Sequence, residues 1–223
     1  MWKELKLSNV SFSHVRKGKE LHLRNINLSL KRDERIALVG ESGSGKSTVL
    51  ALLRGLNKPK RGRIHCDNKL LDNGFSRLKH HITLIPQDPE IFNNNILYNI
   101  TMGIEVERKN VNKAIRIAQF RSVLKRLNKG LKTNVLEKGV SLSGGEKQRL
   151  AFARGILASE NSDILLMDEP TSSVDSLNEI KIYNGVFKTY DDKTIISSIH
   201  RLHLLRKFDK IYMFDKGKVI AKG

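Results

Sequence analysis

The stretch that most constrains this chain is the glycine-rich segment from Gly40 to Ser47, GESGSGKS. It follows the apolar run Ile36 to Val39 and precedes a helical pattern from Thr48 to Leu53, so a strand, a tight turn and a helix are predicted in that order. Glycines let the backbone wrap closely around a phosphate, and the N–H groups of the turn and of the first helical turn then point at the anion. We expect Lys46 to contact the β- and γ-phosphates and the Ser47 hydroxyl to ligate Mg²⁺. The segment therefore predicts a nucleoside-triphosphate site.

Length and composition place the chain among soluble proteins. Its 223 residues, 39% of them hydrophobic, suffice for one large domain or two intimate subdomains with a buried core. No apolar run approaches the roughly 18 residues that a membrane-spanning helix needs. The N-terminus has no apolar secretory segment, so nothing directs the chain out of the cytoplasm. The single cysteine, Cys66, excludes an internal disulfide and suits a reducing compartment.

The net charge of +18 points to an anionic partner. Basic surfaces attract nucleic acid, anionic membrane or acidic protein. The charge is spread along the chain, and no aromatic residues are interleaved to stack on bases. Nucleic acid is therefore the less favoured partner. Closeness to an anionic bilayer, or a compositional bias of the source, explains the charge at least as well.

The two ends of the chain predict strands. Period-two spacing and short apolar runs are typical of half-buried and fully buried strands, respectively. The predicted strands are 5–12, 21–30, 36–39, 61–67, 82–85, 163–168, 194–199, 210–214 and 218–221. A helix is predicted from about Leu177 to Tyr190. The fold class expected is α/β, with a P-loop core and an antiparallel β-region mostly from the N-terminal part.

The middle of the chain has a different character. After a break with two prolines, Pro86 and Pro89, comes an Asn-rich stretch, and from Val111 to about Leu131 the apolar residues fall at helical spacing. Between Glu105 and Thr133 there are nine Lys or Arg against two Glu. We expect a helical lobe with a strongly basic polar face. That face is either solvated or a docking surface, and the sequence leaves both open.

Two further segments carry chemistry. Asp168 and Glu169 come just past an apolar strand, where a parallel α/β sheet places its functional groups. The first acid can hold Mg²⁺, and the second can polarise a water in line with the γ-phosphate. Ser143 to Glu146, SGGE, opens a helix that runs to about Leu157 and offers a second anion site at its N-terminus. Because one P-loop already serves one triphosphate, this second site needs another role.

The order GESGSGKS, Gln87, LSGGEKQR, ILLMDEP and His200 resembles the nucleotide-binding domain of ABC transporters over nearly the whole chain. LSGGE is the most specific of these motifs, because P-loops occur in many families. The resemblance implies one domain, 1–223, with an ATP-binding core at 1–87 and 158–223 and a helical subdomain at about 88–157. It also implies Mg·ATP hydrolysis in a head-to-tail dimer with a second nucleotide-binding domain, identical or different, in which ATP lies between the two subunits.

The family's site residues are carried over position by position. Asp168 matches the Walker B acid on Mg²⁺, Glu169 the catalytic glutamate, and His200 the histidine that holds the γ-phosphate and links it to Glu169. Gln87 matches the glutamine that reaches the metal and the attacking water and reports on the transmembrane partner. Residues 173–175, SVD, resemble the D-loop, with Val174 in place of the usual leucine. The implied nucleotide-binding residues are Gly40, Glu41, Ser42, Gly43, Ser44, Gly45, Lys46, Ser47, Thr48, Ser143, Gly144, Gly145 and Glu146.

His14 departs from the family pattern. It stands where the family usually has a tyrosine that stacks on adenine, and an imidazole has a smaller π face. We expect His14 to bind the base weakly. The alternative is that His14 faces solvent and other groups hold the adenine.

Two features resemble the exporter branch of the family. They are Glu137-Lys138-Gly139, like the short acidic motif that touches coupling helices, and the segment from Pro86 to Ile100 with Phe92 and Asn99. The implied partner is a transmembrane domain or subunit at the cytoplasmic face of a membrane. The chain is then either a separate ATPase subunit or part of a longer polypeptide. The alternative is a soluble ABC ATPase that acts on nucleic acid or ribosomes, favoured by the charge alone.

Overall fold

A computed structural model describes residues 2–15, 21–71, 74–88, 90–135 and 141–223. The chain forms two compact units. The first comprises Met1–Leu84, Ser162–Glu169 and Asp192–Gly223, and the second comprises Ile85–Asn161 and Pro170–Asp191. Both units bury apolar side chains.

Ten strands are found among the described residues; nine lie close to the predicted bounds, and the short strand Lys69–Leu70 was not predicted. In chain order they are β1 (Glu4–Phe12), β2 (Leu23–Lys31), β3 (Arg35–Val39), β4 (Arg61–Cys66), β5 (Lys69–Leu70), β6 (Ile82–Ile85), β7 (Ile164–Asp168), β8 (Thr194–Ser198), β9 (Lys210–Asp215) and β10 (Lys218–Lys222). The helices are α1 (Lys46–Leu53), α2 (Ile96–Thr101), α3 (Arg108–Ile117), α4 (Arg121–Lys125), α5 (Gly144–Ala158) and α6 (Ser176–Thr189), with 3₁₀ segments at Gly74–His81, Gly130–Lys132 and Leu202–Lys207.

The N-terminal strands form a four-stranded sheet in the order β2-β1-β4-β5, in which neighbouring strands are antiparallel. Burial alternates in the first half of β1, as the period-two spacing predicts: Leu5 pairs with Leu30 and Leu7 with Leu28, and Lys6 between them is exposed. Beyond the register shift after Leu7 the alternation stops, and Val10, Ser11 and Phe12 are all buried. This sheet is the antiparallel β-region expected from the sequence.

The second sheet has six strands in the order β10-β9-β3-β8-β7-β6. The strand β3 pairs in parallel with β8 and β9, and β8 pairs in parallel with β7, whereas β10 is antiparallel to β9. Both β7 and β8 are buried along their whole length. The strand β7 is apolar up to its terminal Asp168, as expected of a central strand of a parallel sheet, whereas β8 ends in two serines. The register places Asp168 opposite Ser198 and Ser198 opposite Leu38, so the carboxyl ends of three strands meet at one edge.

The second unit is helical, and it differs in detail from the sequence expectation. The pattern at 111–131 is divided among α3, α4 and a 3₁₀ turn, because Gln119 and Gly130 adopt positive φ values of 53° and 48°. The sequence analysis did not predict α2, which begins where the Asn95 side chain accepts a hydrogen bond from Tyr98 N–H at 2.8 Å.

Helix α6 lies in the second unit, whereas the expected division assigned 158–223 to the core. Gly185 lets α6 approach α3: a Cβ built at Gly185 would lie 3.6 Å from Ile117 Cα. The Tyr190 hydroxyl then donates to Ile156 O of α5 at 3.3 Å. Segment 170–191 therefore packs on the helices that the sequence assigned to the separate lobe.

The α/β fold with a P-loop core, an antiparallel sheet and a helical subdomain is confirmed. Glu137-Lys138-Gly139 lies outside the described residues. Across the described ranges, no helix combines the length and the hydropathy needed to cross a membrane.

Candidate functional site

The segment Gly40 to Ser47, hereafter the phosphate loop, joins the end of β3 to the start of α1. Its lysine is buried, with 3% of the side chain exposed, and the Lys46 ammonium donates to Gly40 O at 2.8 Å and to Glu41 O at 2.9 Å. The loop thus curls around its own cation. Its exposed members are Glu41, Ser42, Gly43 and Ser47.

Glycine is required at the start of the loop for a steric reason. Gly40 has a φ of 144°, and a Cβ there would lie 2.2 Å from the carbonyl oxygen of Phe214 in β9. At the far end Gly217 N–H donates to Ser44 O at 3.0 Å. The neighbouring strand hairpin therefore holds the loop against the edge of the sheet.

The acidic pair lies at the end of β7. Ser198 Oγ donates to Asp168 Oδ1 at 2.8 Å and accepts from Glu169 N–H at 2.9 Å, so one hydroxyl fixes both residues. Glu169 has a φ of 45°, a strained value for a residue with a side chain. Ser198 was missed by the sequence analysis. Its signal is a polar pair, Ser197 and Ser198, ending an apolar strand.

The Glu169 carboxylate is held between two cationic or polar groups. Its Oε1 lies 2.5 Å from His200 Nε2 and 3.9 Å from Lys46 Nζ. Because an ionised carboxylate can only accept, Nε2 carries the hydrogen of the His200 contact. Glu169 is 10% exposed and His200 is 46% exposed, so the carboxylate is enclosed while the imidazole meets solvent. The first unit therefore brings together four predicted site residues, Lys46, Asp168, Glu169 and His200.

The segment Ser143 to Glu146, hereafter the signature segment, begins α5 with a reciprocal capping box. Ser143 Oγ accepts from Glu146 N–H at 3.4 Å, and Glu146 Oε2 accepts from Ser143 N–H at 3.0 Å. Gly145 is required here, because a Cβ would lie 2.6 Å from Ser173 O. At Gly144 the nearest atom to such a Cβ is Ser173 Cβ, at 4.0 Å.

One glutamine ties α5 to the D-loop-like segment. Gln148 is buried; its Oε1 accepts from Ser173 N–H at 2.8 Å and its Nε2 donates to Ser172 Oγ at 2.9 Å. Asp175 then begins α6, and hydrogen bonds from Asn178, first from its backbone and then from its side chain, lower the pKa of the Asp175 carboxyl. Gln87, also in the second unit, is exposed, and its carbonyl oxygen lies 3.5 Å from Gln148 Nε2.

Arg126 is one of the nine cations of the basic helical lobe. Its guanidinium forms an ion pair with the Oε1 of Glu146. Whether the rest of this basic face is solvated or a docking surface stays a prediction. Sequence spacing gave no signal, because the two residues are 20 positions apart.

His14 is exposed at the end of the first strand region. Its ring makes edge-on contacts with Phe12, at a centroid distance of 4.8 Å, and with His22, at 4.7 Å. His14 N–H also lies 3.4 Å from His22 Nδ1. The ring thus belongs to a small aromatic cluster in the first unit, which leaves its role in base binding a prediction.

The phosphate loop fits a bound anion. Ser44 Oγ is buried and has no hydrogen-bond partner among the described residues, although buried hydroxyls are normally satisfied. A phosphate oxygen would supply the acceptor. The hydroxyl of Ser47 and the carboxylate of Asp168 are hard oxygen donors, the kind that Mg²⁺ prefers.

Comparison with known proteins identifies the family. A family model described as ABC transporter matches residues 23–172. The ATP-dependent lipid A-core flippase of Photobacterium profundum is 34% identical over 99% of this chain and 38% of its own length. The mitochondrial iron-sulfur clusters transporter ABCB7 of Oryzias latipes is 35% identical over 98% of this chain and 29% of its own length.

A solved structure agrees with these relatives. The structure of a bacterial Atm1-family ABC exporter with ATP bound matches with a TM-score of 0.87 and 34% identity, over 100% of this chain and 38% of that one. The chain thus spans well under half the length of each of these relatives. It belongs to the ABC transporter family, as a nucleotide-binding ATPase domain similar to those of ABC exporters.

Proposed function

We propose that Glu169 is the residue that activates water for ATP hydrolysis in this domain. The observation that carries the proposal is the fixed carboxylate, held by His200 at 2.5 Å, near Lys46 at 3.9 Å, with its backbone N–H on Ser198. A general base must be oriented before it can take a proton from the attacking water. His200 supplies that orientation and can also reach a γ-phosphate, as the family resemblance implies.

Lys46 is the group that binds the β- and γ-phosphates. The Lys46 ammonium donates to two loop carbonyls, Gly40 O and Glu41 O. These bonds keep the buried cation satisfied and close to where phosphate oxygens would lie. Loop N–H groups and the Ser44 hydroxyl add donors without adding charge.

Mg²⁺ would be held by the Ser47 hydroxyl, by Asp168 and by Gln87. When bound, the metal neutralises charge on the β- and γ-phosphate oxygens. The chain's own contribution is to orient the ligands, and Ser198 does so for the Asp168 carboxylate at 2.8 Å. Gln87 joins this set on the strength of the family resemblance alone.

The signature segment acts on a second nucleotide-binding domain. We propose a head-to-tail dimer in which Ser143, Gly144 and Gly145 cap the γ-phosphate held by the partner's phosphate loop. The exposed Ser143 hydroxyl and the small Gly144 at the first turn of α5 support this role. ATP then joins the two domains, and hydrolysis releases them.

The same proposal places the domain at the cytoplasmic face of a membrane, coupled to a transmembrane domain. Support comes from the relatives, which are a transporter, a flippase and an exporter and which are longer than this chain. None of the relatives named above is described as acting on nucleic acid or ribosomes. A transmembrane domain encoded in the same reading frame or beside it, recognised by spans of about 20 apolar residues, is the expected genetic context.

The decisive experiment is Glu169→Gln. The amide keeps the size of the side chain but cannot take a proton, so hydrolysis should fall by about 10²- to 10⁴-fold while ATP binding persists. Size-exclusion chromatography with Mg·ATP should then show a stable dimer, with Glu105→Gln, at an exposed glutamate, as the control for loss of a carboxylate elsewhere. ATP turnover near the parent rate would refute the assignment of Glu169.

A further inference from the structure

The ion pair between Arg126 and Glu146 places a cation beside the signature segment. Arg126 directly follows α4, and its Nη2 contacts Glu146 Oε1. The Glu146 side chain is 13% exposed, whereas that of Arg126 is 55% exposed. The arginine therefore reaches from solvent to an acid that is mostly enclosed.

Glu146 uses both of its carboxylate oxygens. The oxygen Oε1 takes Arg126, and Oε2 accepts from Ser143 N–H at 3.0 Å in the capping box. This acid stands in the first turn of α5, where the helix dipole favours negative charge. A phosphate at the same helix end would meet that carboxylate, and like charges repel.

A glutamine at this position would complete the same capping box without any charge. The Glu146 carboxylate therefore repels the phosphate that the signature segment is proposed to cap. Arg126 offsets this charge, and its contact also fixes the carboxylate on Ser143 N–H. The requirement for Arg126 follows from the presence of an acid at position 146.

We propose that Arg126 is a positioning residue of the signature segment, which neutralises Glu146 so that α5 can accept the γ-phosphate of a second domain's ATP. This inference rests on the proposed function, because it assumes that the segment acts on a partner-held nucleotide. It also assigns Arg126 to the nucleotide-dependent dimer rather than to a membrane-docking face.

The test measures ATP-driven dimerisation of the full chain in the Glu169→Gln background, where hydrolysis does not intervene. Arg126→Ala should raise the ATP concentration for half-maximal dimerisation about three- to fivefold, on the scale of a partly exposed ion pair. Arg126→Lys, which keeps the charge, should recover part of that loss. Lys125→Ala, a neighbouring cation of α4, is the matched control and should change the value less than about twofold.

The same measurement in a Glu146→Gln background separates positioning from packing. Without the carboxylate there is nothing to neutralise, so the further effect of Arg126→Ala should shrink to less than about twofold. An equal effect of Arg126→Ala in both backgrounds would overturn the inference and leave the proposed function intact. Absence of an ATP-driven dimer in the Glu169→Gln parent would instead overturn the proposed function, and this inference with it.

Discussion

The phosphate loop and the signature segment are both glycine-rich and both lead into a helix, yet they are built differently. The phosphate loop has an irregular backbone, with φ values of 144° at Gly40 and 109° at Gly45, and it encloses a buried lysine. The signature segment is a regular helix start, with Ser143 in extended geometry and a reciprocal capping box. Its nearby cation, Arg126, is paired with Glu146.

The difference supports the two proposed roles, in which the phosphate loop holds a triphosphate and the signature segment completes a partner's site. The phosphate loop supplies a full positive charge and a curved set of N–H donors, which suits several phosphate charges at once. In the signature segment the N–H groups of Ser143 and Glu146 are already used by the cap. What it retains is a hydroxyl and small residues at a helix end, which suit a phosphate that another loop already holds.

The largest expected contrast comes from one substitution in each segment. Lys46→Ala removes the charge that binds the β- and γ-phosphates, so ATP affinity of the isolated chain should fall by about 10- to 150-fold, corresponding to about 1.5–3 kcal/mol. Ser143→Arg should leave that affinity unchanged within about twofold, because the segment acts in trans, and should block ATP-driven dimerisation. Isothermal titration measures the affinity, and analytical ultracentrifugation measures the dimer.

A mixed dimer sharpens the contrast. Pairing a Ser143→Arg chain with a Lys46→Ala chain should create one composite site with both defects and one with neither, so a single working site should remain. Collapse of ATP affinity in the Ser143→Arg monomer would show that the signature segment contributes to its own chain's site. Thermal unfolding of both variants checks that the fold is kept.

Alanine substitutions at the two glycines of the signature segment should separate an effect on stability from an effect on phosphate binding. Gly145→Ala forces a Cβ to within 2.6 Å of Ser173 O, so it should lower the free energy of unfolding by about 1–3 kcal/mol. Gly144→Ala has 4.0 Å of room and gains helix propensity, so stability should be kept or rise by up to about 1 kcal/mol. Denaturant unfolding of the two variants measures both changes.

Gly144→Ala should still weaken ATP-driven dimerisation, because its methyl group stands where the capped phosphate must approach. The predicted pattern is thus a stable chain that dimerises poorly. Parent-like dimerisation of Gly144→Ala would mean that the phosphate does not come close to this helix end.

Local sequence signals predicted the strands, α5 and most site residues, because each of these depends on neighbours in the chain. Glycine spacing located the phosphate loop, and an apolar run located β7 with its terminal acids. Even α2 had a signal, since Asn95 is a favoured helix-capping residue. The remaining site residues were predicted from the family resemblance, which rests on the order of the motifs along the chain.

Contacts between distant segments could not be predicted in this way. Ser198 joins Asp168 to Glu169 because β7 and β8 pair in one particular register, and a shift by one residue would turn the hydroxyl to the other face. Arg126 meets Glu146 across a separation of 20 residues, which no local spacing encodes. Both are residues that position a predicted site residue, and neither contact was predicted from the sequence.

The smallest expected effect concerns His14, which would contact the base of the nucleotide whose phosphates are held by the phosphate loop. Its exposed ring makes edge contacts with Phe12 and His22. These neighbours restrict the orientation of the imidazole before a base binds. Stacking of a base on an aromatic ring is worth roughly 1–3 kcal/mol, and the imidazole offers less apolar area than a phenol. His14→Tyr should therefore tighten ATP binding by up to about tenfold, and His14→Ala should weaken it by a smaller factor.

Binding of inorganic triphosphate should be equal in all three chains, because the phosphate contacts do not change. Isothermal titration with ATP, GTP and triphosphate separates the two contributions, and GTP should be discriminated better by His14→Tyr than by the parent. If ATP affinity were the same with histidine, tyrosine and alanine at this position, residue 14 would face solvent and the adenine would be held elsewhere.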